Sequence, residues 1–218
     1  MLLQNPMEAF SNPAADYPIL GVLEKAHKPM STTAISKRCE AVPRISAHKS
    51  LTRLSQHGIL KQEMLGNTYF YEINRKHVLY EAIREILQAP KSLFDNIASD
   101  ISQWNSPPLA VYLFGSTARK QMTVESDIDI LFISECSSSN KNEYLDNVHS
   151  LCEEITERTG NTTNPVIFAQ EEVKNTPLFR DILNEGVCIF GDTYILKRKL
   201  GTHGQSNTVR HSDRPRDK

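Results

Sequence analysis

The stretch LAVYLFGSTARKQMTVESDIDILFI, residues 109–133, decides the fold of the C-terminal half of the chain. It begins with a continuous apolar run, Leu109 to Phe114, whose length and β-prone residues predict a buried strand. Gly115 and Ser116 follow directly and predict a tight turn into a helix. A second strand is predicted from Ser126 to Ile133. The order is therefore strand, turn, helix, strand.

The second strand carries two acids, Asp127 and Asp129. Because side chains alternate across a strand, both carboxylates are predicted on one side, while Ile128 and Ile130 point into a core. Magnesium is bound by one or two protein carboxylates and completes its octahedron with water and phosphate oxygens. Asp127 and Asp129 are thus the predicted metal ligands, with Mg²⁺ as cofactor and a nucleoside triphosphate (NTP) as substrate or ligand.

The turn before the acidic strand suits a phosphate group. Gly115 has no Cβ and lets a phosphate approach the backbone, and Ser116 offers a hydroxyl. Arg119 and Ser126 complete the predicted nucleotide-binding set, with an ion pair inside the domain as the alternative for Arg119. Taken singly, a Gly-Ser pair is a common turn and two acids are a solvated strand edge, so the prediction depends on their joint order.

Phe114-Gly-Ser-Thr-Ala-Arg119, followed by Ser126-Asp-Ile-Asp129, resembles the polymerase-β-like nucleotidyltransferase superfamily, especially its minimal nucleotidyltransferase branch. The resemblance implies an α/β nucleotidyltransferase domain over residues 105–195, with Asp127 and Asp129 as catalytic residues. It also implies transfer of a nucleoside monophosphate from an NTP to a hydroxyl, with two magnesium ions activating the nucleophile and neutralising the leaving pyrophosphate.

Two departures from that pattern concern activity. The branch usually has Gly after the Arg, and this chain has Lys120. Family enzymes also place a third acid on a later strand, whereas the predicted strand Thr163 to Phe168 offers Asn164. Glu171 and Glu172 follow that strand and are predicted to start a helix. Without a third carboxylate the site is expected to bind a metal nucleotide and to turn over poorly.

Residues 15–78 predict three helices followed by a β-hairpin around Leu65-Gly66-Asn67. The third helix, Arg44 to His57, has Ala47, Leu51 and Leu54 on one face. This order resembles a winged helix-turn-helix, so the whole chain is predicted as α+β, with a winged helix-turn-helix preceding the nucleotidyltransferase domain. Double-stranded DNA is the partner that the resemblance implies, with protein contacts or dimerisation as the alternative. The residues expected to face the major groove are Ser46, His48, Lys49 and Arg53, and those expected in the wing are Lys61 and Asn67.

Charge is distributed unevenly behind a net charge of -1. Residues 16–78 hold ten basic and five acidic residues, residues 80–196 eight basic and 18 acidic, and residues 197–218 seven basic and two acidic. A basic first segment is what a phosphate-binding surface requires, and the acidic segment should repel a duplex. The four cysteines form no metal-ligand pattern. No apolar run approaches the roughly 20 residues of a membrane-spanning helix, and a cytoplasmic location is expected.

The remaining segments have simpler predictions. Residues 79–104 are expected to form a helical linker, interrupted at Pro90, and residues 201–218 a disordered tail. A homodimer through the N-terminal half or the linker is expected. Together these features predict a DNA-binding transcription regulator whose nucleotidyltransferase-fold domain binds a magnesium nucleotide. The alternative is an active nucleotidyltransferase acting on a protein, RNA or small-molecule hydroxyl, in a toxin-antitoxin or phage-defence system.

Overall fold

A computed structural model describes residues 4–39, 41–135 and 141–201. The chain divides into two compact units, one ending at Leu93 and the other beginning at Phe94. Cys136 and the predicted tail beyond Gly201 lie outside the described residues. None of the described helices combines the length and apolar character needed to cross a membrane.

The first unit contains helices and a small antiparallel sheet. A short 3-10 helix, Pro6–Phe10, precedes the other elements. The strands are β1, β3 and β2 in spatial order. The element bounds are α1 Pro13–Glu24, β1 Met30–Ser31, α2 Thr32–Arg38, α3 Arg44–Gln56, β2 Leu60–Leu65 and β3 Thr68–Ile73.

Capping and turn residues set the limits of these elements. The Ser31 hydroxyl accepts a hydrogen bond from the Ala34 amide at 3.3 Å, which satisfies a free N–H group at the start of α2. Strands β2 and β3 pair from Leu60 with Ile73 to Leu65 with Thr68, leaving a two-residue turn. Gly66 in that turn has a positive φ of 60°, which glycine adopts without steric cost.

The α3 helix is amphipathic in the predicted sense. Ala47, Leu51 and Leu54 are completely buried. Ser50 is buried beside them. The opposite face, at helical spacing, holds Ile45, His48, Lys49, Thr52 and Gln56.

Arg53 lies on the flank of α3 and turns inward. Its guanidinium forms an ion pair with Asp16, which is only 1% exposed, and its Nε donates to the Ala9 carbonyl at 3.1 Å. The other Asp16 oxygen accepts from the Asn12 amide at 3.2 Å, at the start of α1. The prediction that Arg53 faces a DNA groove is therefore wrong in its geometry: this side chain neutralises a buried carboxylate.

The predicted break at Pro90 is also absent. Helix α4, Tyr80–Ser102, runs through this proline and across the boundary between the two units. Proline cannot donate to the carbonyl four residues earlier, here that of Ile86. Both Ile86 and Pro90 lie on the solvent-exposed side, where water can hydrogen-bond that carbonyl.

The second unit is built on a mixed sheet whose strands lie in the order β6, β5, β4, β7. Strand β4 is antiparallel to β5 and β7, and β5 is parallel to β6. A short 3-10 helix, Gln170–Glu172, follows β6. The bounds are β4 Ala110–Phe114, α5 Gly115–Ala118, β5 Ile128–Ser134, α6 Lys141–Thr159, β6 Thr163–Ala169, α7 Pro177–Glu185, β7 Val187–Gly191 and α8 Ile195–Lys199.

The strand directions bring distant residues to one edge of this sheet. Phe114 at the end of β4 is paired with Asp129 near the start of β5, and Asp129 is paired with Asn164 near the start of β6. The central strands β4 and β5 are almost entirely buried, as their apolar runs predict. A rigid core therefore supports the polar residues at this edge.

We predict that Arg53→Met lowers the free energy of unfolding by about 3 kcal/mol, because it leaves the buried Asp16 carboxylate unpaired. Urea denaturation measures the loss. Lys49→Met, on the exposed face of the same helix, is the control and should change stability by less than about 0.5 kcal/mol. Equal stability of the two variants would show that the buried ion pair does not hold α1 to α3.

Candidate functional site

The centre of the candidate site is a contact between the backbone after β4 and a carboxylate on β5. Gly115 has a positive φ of 67°, and a Cβ built on it would lie 2.5 Å from Oδ2 of Asp129. Any larger residue would have to displace that oxygen. Because glycine has no Cβ, the Gly-Ser turn can lie directly against the acidic strand.

Three polar side chains surround this contact. Asp127 immediately precedes β5 and is exposed, and Asp129 is half-buried. On the neighbouring strand, Nδ2 of Asn164 donates a hydrogen bond to Oδ2 of Asp127 at 3.0 Å. The two carboxylates thus belong to one site, and an amide occupies the adjoining strand.

Burial and charge act together on Asp129. Burial raises the pKa of the Asp129 carboxyl above its usual value, and the neighbouring Asp127 charge raises it further. A hydrogen bond from Asn164 and the positive charge of Arg119 lower that pKa. Burial and a neighbouring negative charge destabilise the ionised form of a carboxyl group. A bound cation would stabilise that form, because it neutralises the charge of both carboxylates.

The donor set fits a divalent cation held together with a ligand. Two carboxylates are the usual protein contribution to a magnesium nucleotide, whose phosphate oxygens supply further ligands. Within the described ranges, no group of three or more His, Cys, Asp or Glu residues is placed to hold a metal. Asp127 and Asp129 are therefore the residues that would hold the cation, with the nucleotide completing its coordination.

The loop between α5 and β5 is fastened by its own polar groups. The Gln121 amide donates to the Ser116 carbonyl at 2.9 Å. The Ser126 hydroxyl accepts from the Thr123 amide at 2.9 Å, so this predicted nucleotide contact is engaged in the loop. Lys120 has a positive φ of 57°, a left-handed backbone conformation that glycine adopts more readily than other residues.

Arg119 takes the ion-pair alternative in this structure. Its Nη1 lies 3.2 Å from Oε2 of Glu185, at the end of α7. Both side chains are about half exposed, so the pair contributes little to stability. The guanidinium can exchange this partner for a phosphate at small cost.

Asn161 is a supporting residue that the sequence pattern did not single out. Its Nδ2 donates to the Ser126 carbonyl at 2.9 Å and fixes the segment that leads into Asp127. An asparagine after Gly160 is ordinary loop composition, so no sequence signal identified its partner 35 residues away. Glu172 lies in the short helix after β6, where its carboxylate accepts a hydrogen bond from the Ala169 amide at 2.8 Å. This carboxylate is thus engaged in capping that helix.

The predicted DNA-binding residues lie on the first unit. His48 and Lys49 are exposed on α3, and Ser46 is half-buried on its flank. Lys61 on β2 forms an exposed ion pair with Glu72 at 3.1 Å. Asn67 is exposed in the hairpin turn. Of the predicted set, Arg53 alone is held by a buried acid.

Comparisons with known proteins concern mainly the second unit. A family model described as "Polymerase beta, Nucleotidyltransferase" matches residues 96–194. No curated protein matches the chain.

Similar solved structures have low sequence identity. A toxin-antitoxin crystallised with AMP-PNP is 17% identical at a TM-score of 0.35, covering 50% of this chain and 82% of that chain. A mutant of the toxin-antitoxin MntA-HpeT is 15% identical at a TM-score of 0.38, with the same coverage of 50% and 82%. TrmBL2, an archaeal chromatin protein described with a novel mode of DNA binding, is 16% identical at 0.29, covering 76% and 68%.

Gly115→Ala should destabilise the protein more than Gly160→Ala. Both glycines have a positive φ, which costs an alanine about 1 kcal/mol, but a Cβ at Gly160 would meet open space. At Gly115 the displaced Asp129 carboxylate should add about 1 to 3 kcal/mol. Chemical denaturation of the two variants measures the difference, and equal losses would contradict the close contact at Asp129.

Proposed function

We propose that this chain is a DNA-binding transcription regulator whose second unit, in which residues 96–194 match the polymerase β nucleotidyltransferase family model, binds a magnesium nucleotide. The observation that carries the proposal is the Gly115 backbone against Asp129, with Asp127 beside it. A phosphate-accepting turn and a pair of cation-binding carboxylates thus share one place.

Each residue has a distinct part in nucleotide binding. Asp127 and Asp129 would hold the cation, while the backbone at Gly115 would lie against the phosphate chain and the Ser116 hydroxyl would donate a hydrogen bond to it. Arg119 lies near enough to Asp129 for its positive charge to lower the pKa of that carboxyl group. The same charge would attract a phosphate bound beside Asp129. The cation, when bound, would neutralise the negative charge of the phosphates.

Asn164 favours binding over turnover. An ionised carboxylate can accept a proton from an attacking hydroxyl, whereas an amide has no useful basicity. Among the described residues near this edge, Asn164 occupies the strand position beside the acid pair. A nucleotide would remain bound at such a site as an effector, and for this reason regulation is the first proposal.

The DNA-binding half of the proposal concerns the first unit. Helices α2 and α3, joined by a short turn and followed by the β2–β3 hairpin, have the order of a winged helix-turn-helix. The outward face of α3, with His48 and Lys49, would enter the major groove, flanked by Ser46, and the hairpin with Lys61 and Asn67 would form the wing. The excess of basic residues over residues 16–78 supports an anionic partner.

A second copy of the chain is part of this proposal, because winged-helix regulators commonly bind two half-sites as two-fold dimers. Exposed apolar side chains on the segment that joins the units support it: Ile86 is 57% exposed and Val78 75% exposed. A monomer in sedimentation velocity at micromolar concentration would contradict the dimer.

Lys49→Ala together with His48→Ala should weaken DNA binding and reduce the slope of log affinity against log salt, because phosphate contacts release counterions. Fluorescence anisotropy with duplex DNA at several salt concentrations measures both. Lys91→Ala, on α4, is the charge-matched control for Lys49→Ala. Affinity and slope equal to those of the unaltered protein would remove α3 from the interface.

Asp127→Asn should lower magnesium-dependent nucleotide affinity by at least tenfold while leaving DNA affinity unchanged, because it removes one charged ligand of the cation. Isothermal titration with each common NTP and Mg²⁺ measures the change. Asp181→Asn, on the exposed side of α7, serves as the control. Retained nucleotide affinity in Asp127→Asn would exclude this metal site.

The second candidate is an active nucleotidyltransferase that modifies a protein, RNA or small-molecule hydroxyl, as a toxin-antitoxin or phage-defence component would. The complete Gly-Ser turn and acid pair favour it. The test is transfer of α-phosphate label from each NTP to components of a cell extract, with Asp127→Asn as control. Label that disappears in the control would establish catalysis, and absence of label together with DNA binding would favour the regulator.

A further inference from the structure

We infer that this site holds one divalent cation with its nucleotide rather than two, because the side chain beside Asp127 and Asp129 on the neighbouring strand is the uncharged amide of Asn164 and not a third carboxylate. The inference rests on the proposed nucleotide binding. It assigns a consequence to the uncharged side chain that lies beside the two acids.

The position of Asn164 follows from strand pairing. Strands β5 and β6 are parallel, and Asn164 is the direct partner of Asp129. Its side chain reaches across to Asp127, with Nδ2 3.0 Å from Oδ2. Asn164 therefore adjoins both acids, on the same side of the sheet as the proposed cation.

The charge of the donor set limits how many cations it can hold. Two divalent ions repel each other four times as strongly as two unit charges at the same distance. Metal pairs in two-metal sites lie about 3.5 to 4 Å apart, and protein carboxylates offset that repulsion. Asp127 and Asp129 provide two negative charges, which suffice for one cation shared with a triphosphate.

The Asn164 amide also reduces the number of oxygen lone pairs that the two acids can offer to a metal. A carboxylate can only accept hydrogen bonds, so the group of Asn164 that faces Asp127 must be its NH₂ donor. The Asp127 lone pair that accepts this hydrogen is then unavailable to a second metal. An aspartate at the same place would reverse both effects, since it adds a charge and removes the donor.

Two other acids of the second unit are engaged elsewhere. Glu172 binds the Ala169 amide, and Glu185 pairs with Arg119. No described residue supplies the missing carboxylate in a group of three. Within the described ranges, a second cation would thus have to share the carboxylates of Asp127 and Asp129.

Counting bound Mn²⁺ tests the inference without requiring catalysis or an acceptor. The full chain is titrated with Mn²⁺ in the presence of non-hydrolysable analogues of each common NTP, and free Mn²⁺ is followed by electron paramagnetic resonance. Analogue without protein gives the background. We expect one protein-dependent Mn²⁺ per chain for the unaltered protein and two for Asn164→Asp.

Asn175→Asp is the matched control, because it makes the same chemical change at an exposed position before α7 and should leave one Mn²⁺ per chain. Two ions in the unaltered protein would overturn the inference, and the count does not depend on any variant folding. One ion in a folded Asn164→Asp variant, checked by circular dichroism, would also overturn the role of Asn164. No protein-dependent Mn²⁺ and no nucleotide binding would refute the proposed function itself and the inference with it.

Discussion

The close approach of Gly115 to Asp129 is the constraint on which the candidate site depends. It joins the turn after β4 to the acidic strand β5 at a distance that excludes any side chain. The buried strands on either side hold it in place, because a shift of β4 against β5 would move apolar residues out of the core. The proposed phosphate-binding backbone and cation-binding carboxylate could share one ligand only when they are this near.

Asn164 shows how an amide in place of a carboxylate can alter the chemistry of a site without altering its geometry. Asparagine and aspartate have almost the same shape, so the strand pairing that brings residue 164 beside Asp129 is compatible with either. The amide, however, donates a hydrogen to Asp127 and supplies neither charge nor basicity. The same strand pairing can therefore present either two or three carboxylates at this edge, according to the residue at position 164.

The basic residues of helix α3 in the first unit have different surroundings. Helix α3 buries one face in the core and leaves His48 and Lys49 on the other. Arg53 on the flank neutralises Asp16, which a buried position would otherwise make costly. The position of a basic residue around the helix thus decides its role. Arg53 stabilises the core, whereas His48 and Lys49 are exposed to solvent. The net charge of residues 16–78 depends on how many basic residues are present and does not distinguish the two roles.

The sequence by itself determined the element order, most helix and strand limits, and the absence of an acid from β6. These features depend on local periodicity, turn residues and alternation, which are readable over a few residues. Only the tertiary structure decided the partners of Arg53, Arg119, Ser126 and Asn161, because each contact joins groups whose distance depends on packing or loop path. It also decided that α4 passes Pro90, since the cost of a proline depends on whether water reaches the carbonyl it leaves free.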